Sequence, residues 1–165
     1  MDHKITPEAK ELWLPQLEGG TLPQATHALY DGYGYCCLGV FARAKGASFF
    51  EADDDDEAAS ITGKTEFICD LAGVDLNNNE TLDLGFAEQF GLTSNVQAFL
   101  STMNDGTHEV LIRNEDPLYH LYEKHATKVL KPTHSASALI QEAGASFSVK
   151  PHTFAEIAKI IREDL

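Results

Sequence analysis

Asp31-Gly32-Tyr33-Gly34-Tyr35-Cys36-Cys37-Leu38-Gly39-Val40 is the stretch on which the reading of this chain turns. Asp-Gly followed by Tyr-Gly is turn chemistry, because glycine enters positive φ at no steric cost. The apolar residues after it, Leu38, Val40 and Phe41, predict a helix from Cys36 to Ala44 that Gly46 closes. Ala28-Leu29-Tyr30 on the other side of the turn predicts one arm of a short hairpin. A tight turn feeding a buried helix is the nucleus of a mixed, compact fold.

Outward from this nucleus the chain alternates helix signals with short strand signals. Thr6-Pro7-Glu8 opens a first helix whose buried stripe is Leu12, Trp13 and Leu17, limited by Pro15 and ended by Gly19-Gly20. Helices are expected over 65–72, 84–91 and 94–103, the last with Ser94 and Gln97 in capping-box spacing and with Gly106 as its stop. Glu109 to Arg113 reads as a strand. Asp116-Pro117 opens a helix to about Leu130, Pro132 ends it, and Ser135 to Ala143 reads as another helix. Ser146 to Val149 reads as a strand, and Thr153-Phe154-Ala155-Glu156 is a capping box starting a helix to Arg162. The expected class is α+β, mainly helical with a few short strands, in a single compact domain over 1–165. Its 43% hydrophobic composition in 165 residues supplies a core without help from disulfides.

The net charge is −14. Residues 1–82 carry 15 acids against 5 bases and residues 83–165 carry 11 against 7, so the first half holds −10 and the second −4. That field repels phosphate backbones and argues against general binding to nucleic acids or to anionic membranes. It suits a basic partner surface or mimicry of a nucleic acid, with the acid run Asp53 to Glu57 as the mimic's candidate face. Three cysteines, Cys36, Cys37 and Cys69, form no disulfide pattern and point to a reducing compartment. Met1-Asp2-His3-Lys4 shows no basic segment followed by an apolar run, so no signal peptide is expected, and no apolar run reaches a membrane span. The expected location is cytoplasmic, the host cytoplasm if the gene is a phage's.

Three segments together resemble a family of small uncharacterised proteins of phages and prophages. They are the Tyr35-Cys36-Cys37-Leu38-Gly39-Val40 string, the run from Leu100 to Asn104-Asp105, and the closing Phe154-Ala155-Glu156-Ile157-Ala158 helix. The sequence departs from that pattern by insertions at about 47–66, ahead of Cys69-Asp70-Leu71-Ala72-Gly73, and at 107–151. The resemblance implies a phage-type setting and no particular reaction.

The candidate chemistry is sparse. Cys36 and Cys37 sit at a helix start, where backbone N–H groups stabilise a thiolate, and a nearby histidine would complete a nucleophile pair. His27, His108, His120, His125, His134 and His152 are the histidines available, and no spacing singles one out. The cysteines equally read as small apolar residues packed in the core. They make a poor zinc set, having no C-x-x-C spacing, and His120 and His125 fall on different helix faces. Asp75-Leu76-Asn77-Asn78-Asn79 imitates a calcium loop but has Glu80 and Phe86 where glycine and glutamate belong. No metal and no cofactor is expected.

For a small anionic ligand the candidate residues are Asn104, Asp105, Arg113, Tyr119, Lys124 and Lys128, with Tyr122 also available for stacking. Lys124, Lys128 and Lys131 are expected as a basic strip on one helix. The leading expectation is a non-enzymatic phage-type accessory protein acting by binding, which blocks a host protein or sequesters a small signalling ligand in counter-defence. The alternatives are a cysteine-dependent enzyme using Cys36 or Cys37, and an acidic nucleic-acid mimic.

Overall fold

A computed structural model describes residues 4–51, 67–71, 74–75, 81–130 and 144–165. Thr6 caps the first helix, α1 (Pro7–Glu18), its hydroxyl accepting the Ala9 N–H at 3.3 Å. The helix carries Pro15 inside it and continues to Glu18. Its buried stripe is Ala9, Trp13 and Leu17, an i, i+4, i+8 row. Leu12, expected in that stripe, is 39% exposed, because one residue before Trp13 is a turn of about 100° away from the core.

Helix α2 (Cys37–Ala44) follows, and its residues Cys37 to Ala42 are all buried. It begins one residue later than expected, since Cys36 is the cap: its sulfur accepts the Gly39 N–H at 3.4 Å. Trp13 crosses to it, donating its indole N–H to the Cys37 carbonyl at 2.9 Å and packing on Phe41. Gly39 is where loop and helix touch. A Cβ there would lie 1.8 Å from the Leu29 carbonyl oxygen, so only glycine admits this approach.

Strands β1 (Ser48–Glu51), β2 (Phe67–Leu71) and β3 (Val74–Asp75) form an antiparallel sheet in that order, with Phe49 opposite Cys69. Within the helix expected over 65–72, the described residues, Phe67–Leu71, are a strand: Phe67, Ile68 and Cys69 pair with β1 instead of closing on themselves. Helix α3 (Leu84–Ala87) passes into a 3-10 turn, Glu88–Phe90, and Gly91 in the left-handed region ends it, so the expected 84–91 helix is split.

Helix α4 (Ser94–Asp105) is capped by Thr93 rather than Ser94. Gln97 turns inward, where it accepts the Leu82 N–H and donates to the Leu92 carbonyl. Strand β4 (Thr107–Arg113) follows, then α5 (Tyr119–His125), β5 (Lys128–Leu130) and β6 (Gly144–Val149). The second sheet is antiparallel in the order β4-β6-β5. The long helix expected from Asp116 to Leu130 is a correction: only Tyr119–His125 is helical, and Val129 then pairs with Phe147 across the sheet. The expected 135–143 helix, the acid run 53–57 and most of the calcium-like segment lie outside the described residues.

Helix α6 (Phe154–Glu163) has the expected capping box, with Thr153 and Glu156 bonded reciprocally. Its buried face, Phe154, Ile157, Ala158, Ile160 and Ile161, packs on α1 and α4. One continuous core joins α1, α2, α4 and α6 to Ile112, Leu118, Phe147 and Val149, so the second sheet belongs to the same α+β domain. No helix among the described residues is long and apolar enough to cross a membrane.

Candidate functional site

The three segments on which the phage resemblance rests meet at one polar node. Asn104 closes α4 and is fully buried. Its carboxamide oxygen accepts from Cys37 N–H and from the Gln24 side chain, both at 3.1 Å. Its amide donates to the Ala25 carbonyl at 2.8 Å and to Asp105 Oδ1 at 2.7 Å. Gln24 in turn donates to the His152 carbonyl at 2.7 Å and accepts the Phe154 N–H at 3.1 Å, satisfying the first turn of α6. A buried carboxamide has four hydrogen-bonding positions, and all four of Asn104 are taken from the protein itself. Asn104 therefore joins elements and offers nothing to a ligand.

Asp105 carries the node to the surface. Its Oδ2 accepts the His27 backbone N–H at 3.1 Å and lies 3.3 Å from His27 Nδ1. His27 has φ +62°, the left-handed region, where histidine is several-fold enriched over most residues but still uncommon. Its side chain is 69% exposed, while that of Asp105 is 9% exposed.

The next turn is fixed as well. Asp31 Oδ1 accepts the N–H groups of Tyr33 and Gly34 at 2.9 and 2.8 Å, and Tyr30 Oη donates to the Gly32 carbonyl at 3.0 Å. Gly32 has φ +92° and sits against the Phe67 ring. Under the turn Tyr30, Tyr35, Phe49 and Phe67 stack edge to face and tilted at 4.7–5.4 Å. At its tip Tyr33 is 89% exposed. The result is an exposed aromatic ring and an exposed imidazole on backbone held by the Asp31 and Asp105 carboxylates.

The cysteines have the opposite character. Cys36, Cys37 and Cys69 are all buried. Burial pushes the Cys37 thiol well above its ordinary value, and the neighbouring Cys36 and the Asp105 carboxylate push it the same way. It stays protonated and donates to the Leu100 carbonyl at 3.6 Å. The helix N-terminus that could have activated a thiolate is occupied: Asn104 takes the Cys37 N–H and the Cys36 sulfur takes that of Gly39.

The expected basic strip does not form. Lys124 lies on α5 and is paired with Asp164, which also binds His125 at 2.7 Å. Lys128 lies on β5, because the helix has ended, and Lys131 is outside the described residues. Arg113 is opposite Gly144 and Lys128 opposite Ser148 on β6, which places them roughly 16 Å apart by strand spacing. Tyr119 and Tyr122 pack on Phe147 and Tyr122 also on Phe99, so neither ring is a stacking platform.

An open groove of about 420 Å³ lies beside Leu111, Ile112 and Arg113, bordered by Asn95 and by Glu115-Asp116-Pro117. It sets one base against two carboxylates, which is no anion cradle. Among the described residues no group of three or more His, Cys, Asp or Glu is placed to hold a metal ion.

Sequence reasoning marked Asn104 and Asp105, missed Gln24, and named His27 only among the histidines a cysteine could use; the partners of these two are 80 and 78 residues away. The Asp31-Gly32 turn was the only local signal for the tip. Comparison of the chain with known protein families, with curated proteins and with solved structures finds no match.

Proposed function

We propose that this chain is a non-enzymatic accessory protein of phage type that binds and blocks a host protein, in the manner of a counter-defence factor acting in the host cytoplasm. The observation that carries the reading is the pinned tip: Tyr33, 89% exposed, on a turn whose backbone is held by Asp31. An exposed tyrosine on ordered backbone is the anchor that protein interfaces favour, since few rotamers are lost when it enters a partner's pocket. The charge of −14 favours a pocket with a basic rim.

Sequestration of a small anion has less support, because Arg113, Lys124 and Lys128 do not converge. A cysteine enzyme has less still, because the Cys37 thiol is buried and protonated. The test is native mass spectrometry of the protein after incubation with host lysate, for the wild type and for Tyr33→Ser. A protein adduct that Tyr33→Ser loses, with the melting temperature unchanged, supports blocking. A small-molecule adduct retained by both proteins would replace blocking with sequestration.

A further inference from the structure

Strand β4 ends in Glu109-Val110-Leu111-Ile112-Arg113, and among the described residues it pairs on one side only, with β6. Val110 and Ile112 face the core, Ile112 at 7% exposure, while Glu109, Leu111 and Arg113 are exposed, Leu111 at 47%. The five residues are self-complementary when read in reverse: Glu against Arg, Val against Ile, Leu against Leu. We propose that β4 is a homodimerisation edge, pairing antiparallel with β4 of a second copy about a two-fold axis through Leu111.

In that register Glu109 of each copy faces Arg113 of the other, twice over, and the two Leu111 side chains meet on the axis. Directly opposed residues of antiparallel strands have Cβ atoms about 4.5–5.5 Å apart, close enough for both ion pairs and for leucine contact. Neither Glu109 nor Arg113 has an ion-pair partner within the described part of the chain, and the 420 Å³ groove beside Leu111 to Arg113 leaves room alongside the edge. Charged residues on an edge strand normally discourage pairing. Here their opposite signs at symmetric positions favour one partner, the same strand inverted. The product is a continuous sheet across the axis, β5-β6-β4 joined to β4-β6-β5 of the second copy, with the isologous symmetry of most dimers.

The contact is smaller than the ~1,200–2,000 Å² of stable interfaces, so the dimer is concentration-dependent. The net charge of −14 on each copy opposes it over long range. At physiological salt the Debye length of about 8 Å screens that repulsion and spares the adjacent pairs.

Sedimentation velocity at physiological salt, from micromolar to hundreds of micromolar protein, is the test. Wild type should pass from monomer to dimer. Glu109→Arg and Arg113→Glu should each remain monomeric, since each puts like charges opposite one another twice. The two single variants mixed together should form a heterodimer, and the double exchange Glu109→Arg with Arg113→Glu should dimerise again. All these side chains are exposed, and circular dichroism checks that each variant keeps the fold. A wild type that stays monomeric throughout overturns the proposal, as does a dimer that both single variants leave intact. Tyr33→Ser is expected to dimerise like wild type, so failure of the tip reading and failure of the edge reading are separate results.

Discussion

The carboxamide of Asn104 accepts the backbone N–H of Cys37 at 3.1 Å across 67 residues of sequence, binding the end of α4 to the start of α2. Asn104→Ala would leave that N–H and the Ala25 carbonyl buried without partners. At about 1–3 kcal/mol for each unsatisfied group, the variant should lose roughly 2–6 kcal/mol of stability. Urea unfolding measures it, and a loss below about 0.5 kcal/mol would contradict the node's role.

The thiols report on the same joint. Iodoacetamide should label native Cys36 and Cys37 slowly at neutral pH, because both are buried and the Cys37 thiol is held protonated. Labelling followed by mass spectrometry should be faster in Asn104→Ala, whose α2 start is freed to open. Rapid labelling of the wild type would restore the enzymatic reading.

Gly39→Ala should be among the most damaging single-methyl additions in the chain. Its Cβ would lie 1.8 Å from backbone oxygen that cannot swing aside, so a loss of about 3 kcal/mol or more is expected. Gly85→Ala is the control: its Cβ meets only the Asp83 carboxylate at 3.1 Å, and its melting temperature should stay close to wild type.

Asp164 sets part of the acid limb of stability. Burial raises its carboxyl, but the hydrogen bonds and charges of Lys124 and His125 outweigh burial and hold it below 3.8. A depressed carboxyl means that the unfolded chain binds the proton first. Its contribution is therefore complete above the unfolded value and is lost as pH falls through the folded one. Asp164→Asn should be less stable than wild type at neutral pH, and the gap should close below about pH 3.8 in pH-resolved thermal melts.

The parts of the fold legible in the sequence were those whose cause is local. Thr6-Pro7 and the Thr153–Glu156 box specify their helix starts within four residues, and structure and reading agree there. Residues 67–71 and 128–130 were misread because Phe67-Ile68-Cys69 and Lys128-Val129-Leu130 are too short to show a period. Their strand state comes from β1 and β6, distant in sequence. The site behaves alike. Asn104 and Asp105 stood out, yet their role is decided by Gln24, Ala25, His27 and Cys37. The lysines looked convergent only under a helix that pairing with β6 cuts short.

Gln24 reaches Phe154 across 130 residues, and α1 packs on α6. On the ribosome this order matters. Trp13 and Leu17 are made well before α6, the helix that packs on theirs. Until then α1 and α2 have only each other, with Trp13 on Phe41, and the face that α1 turns to α6 is uncovered. The core therefore closes only once α6 has been made, and the α1 face left open until then is a surface of the kind chaperones bind.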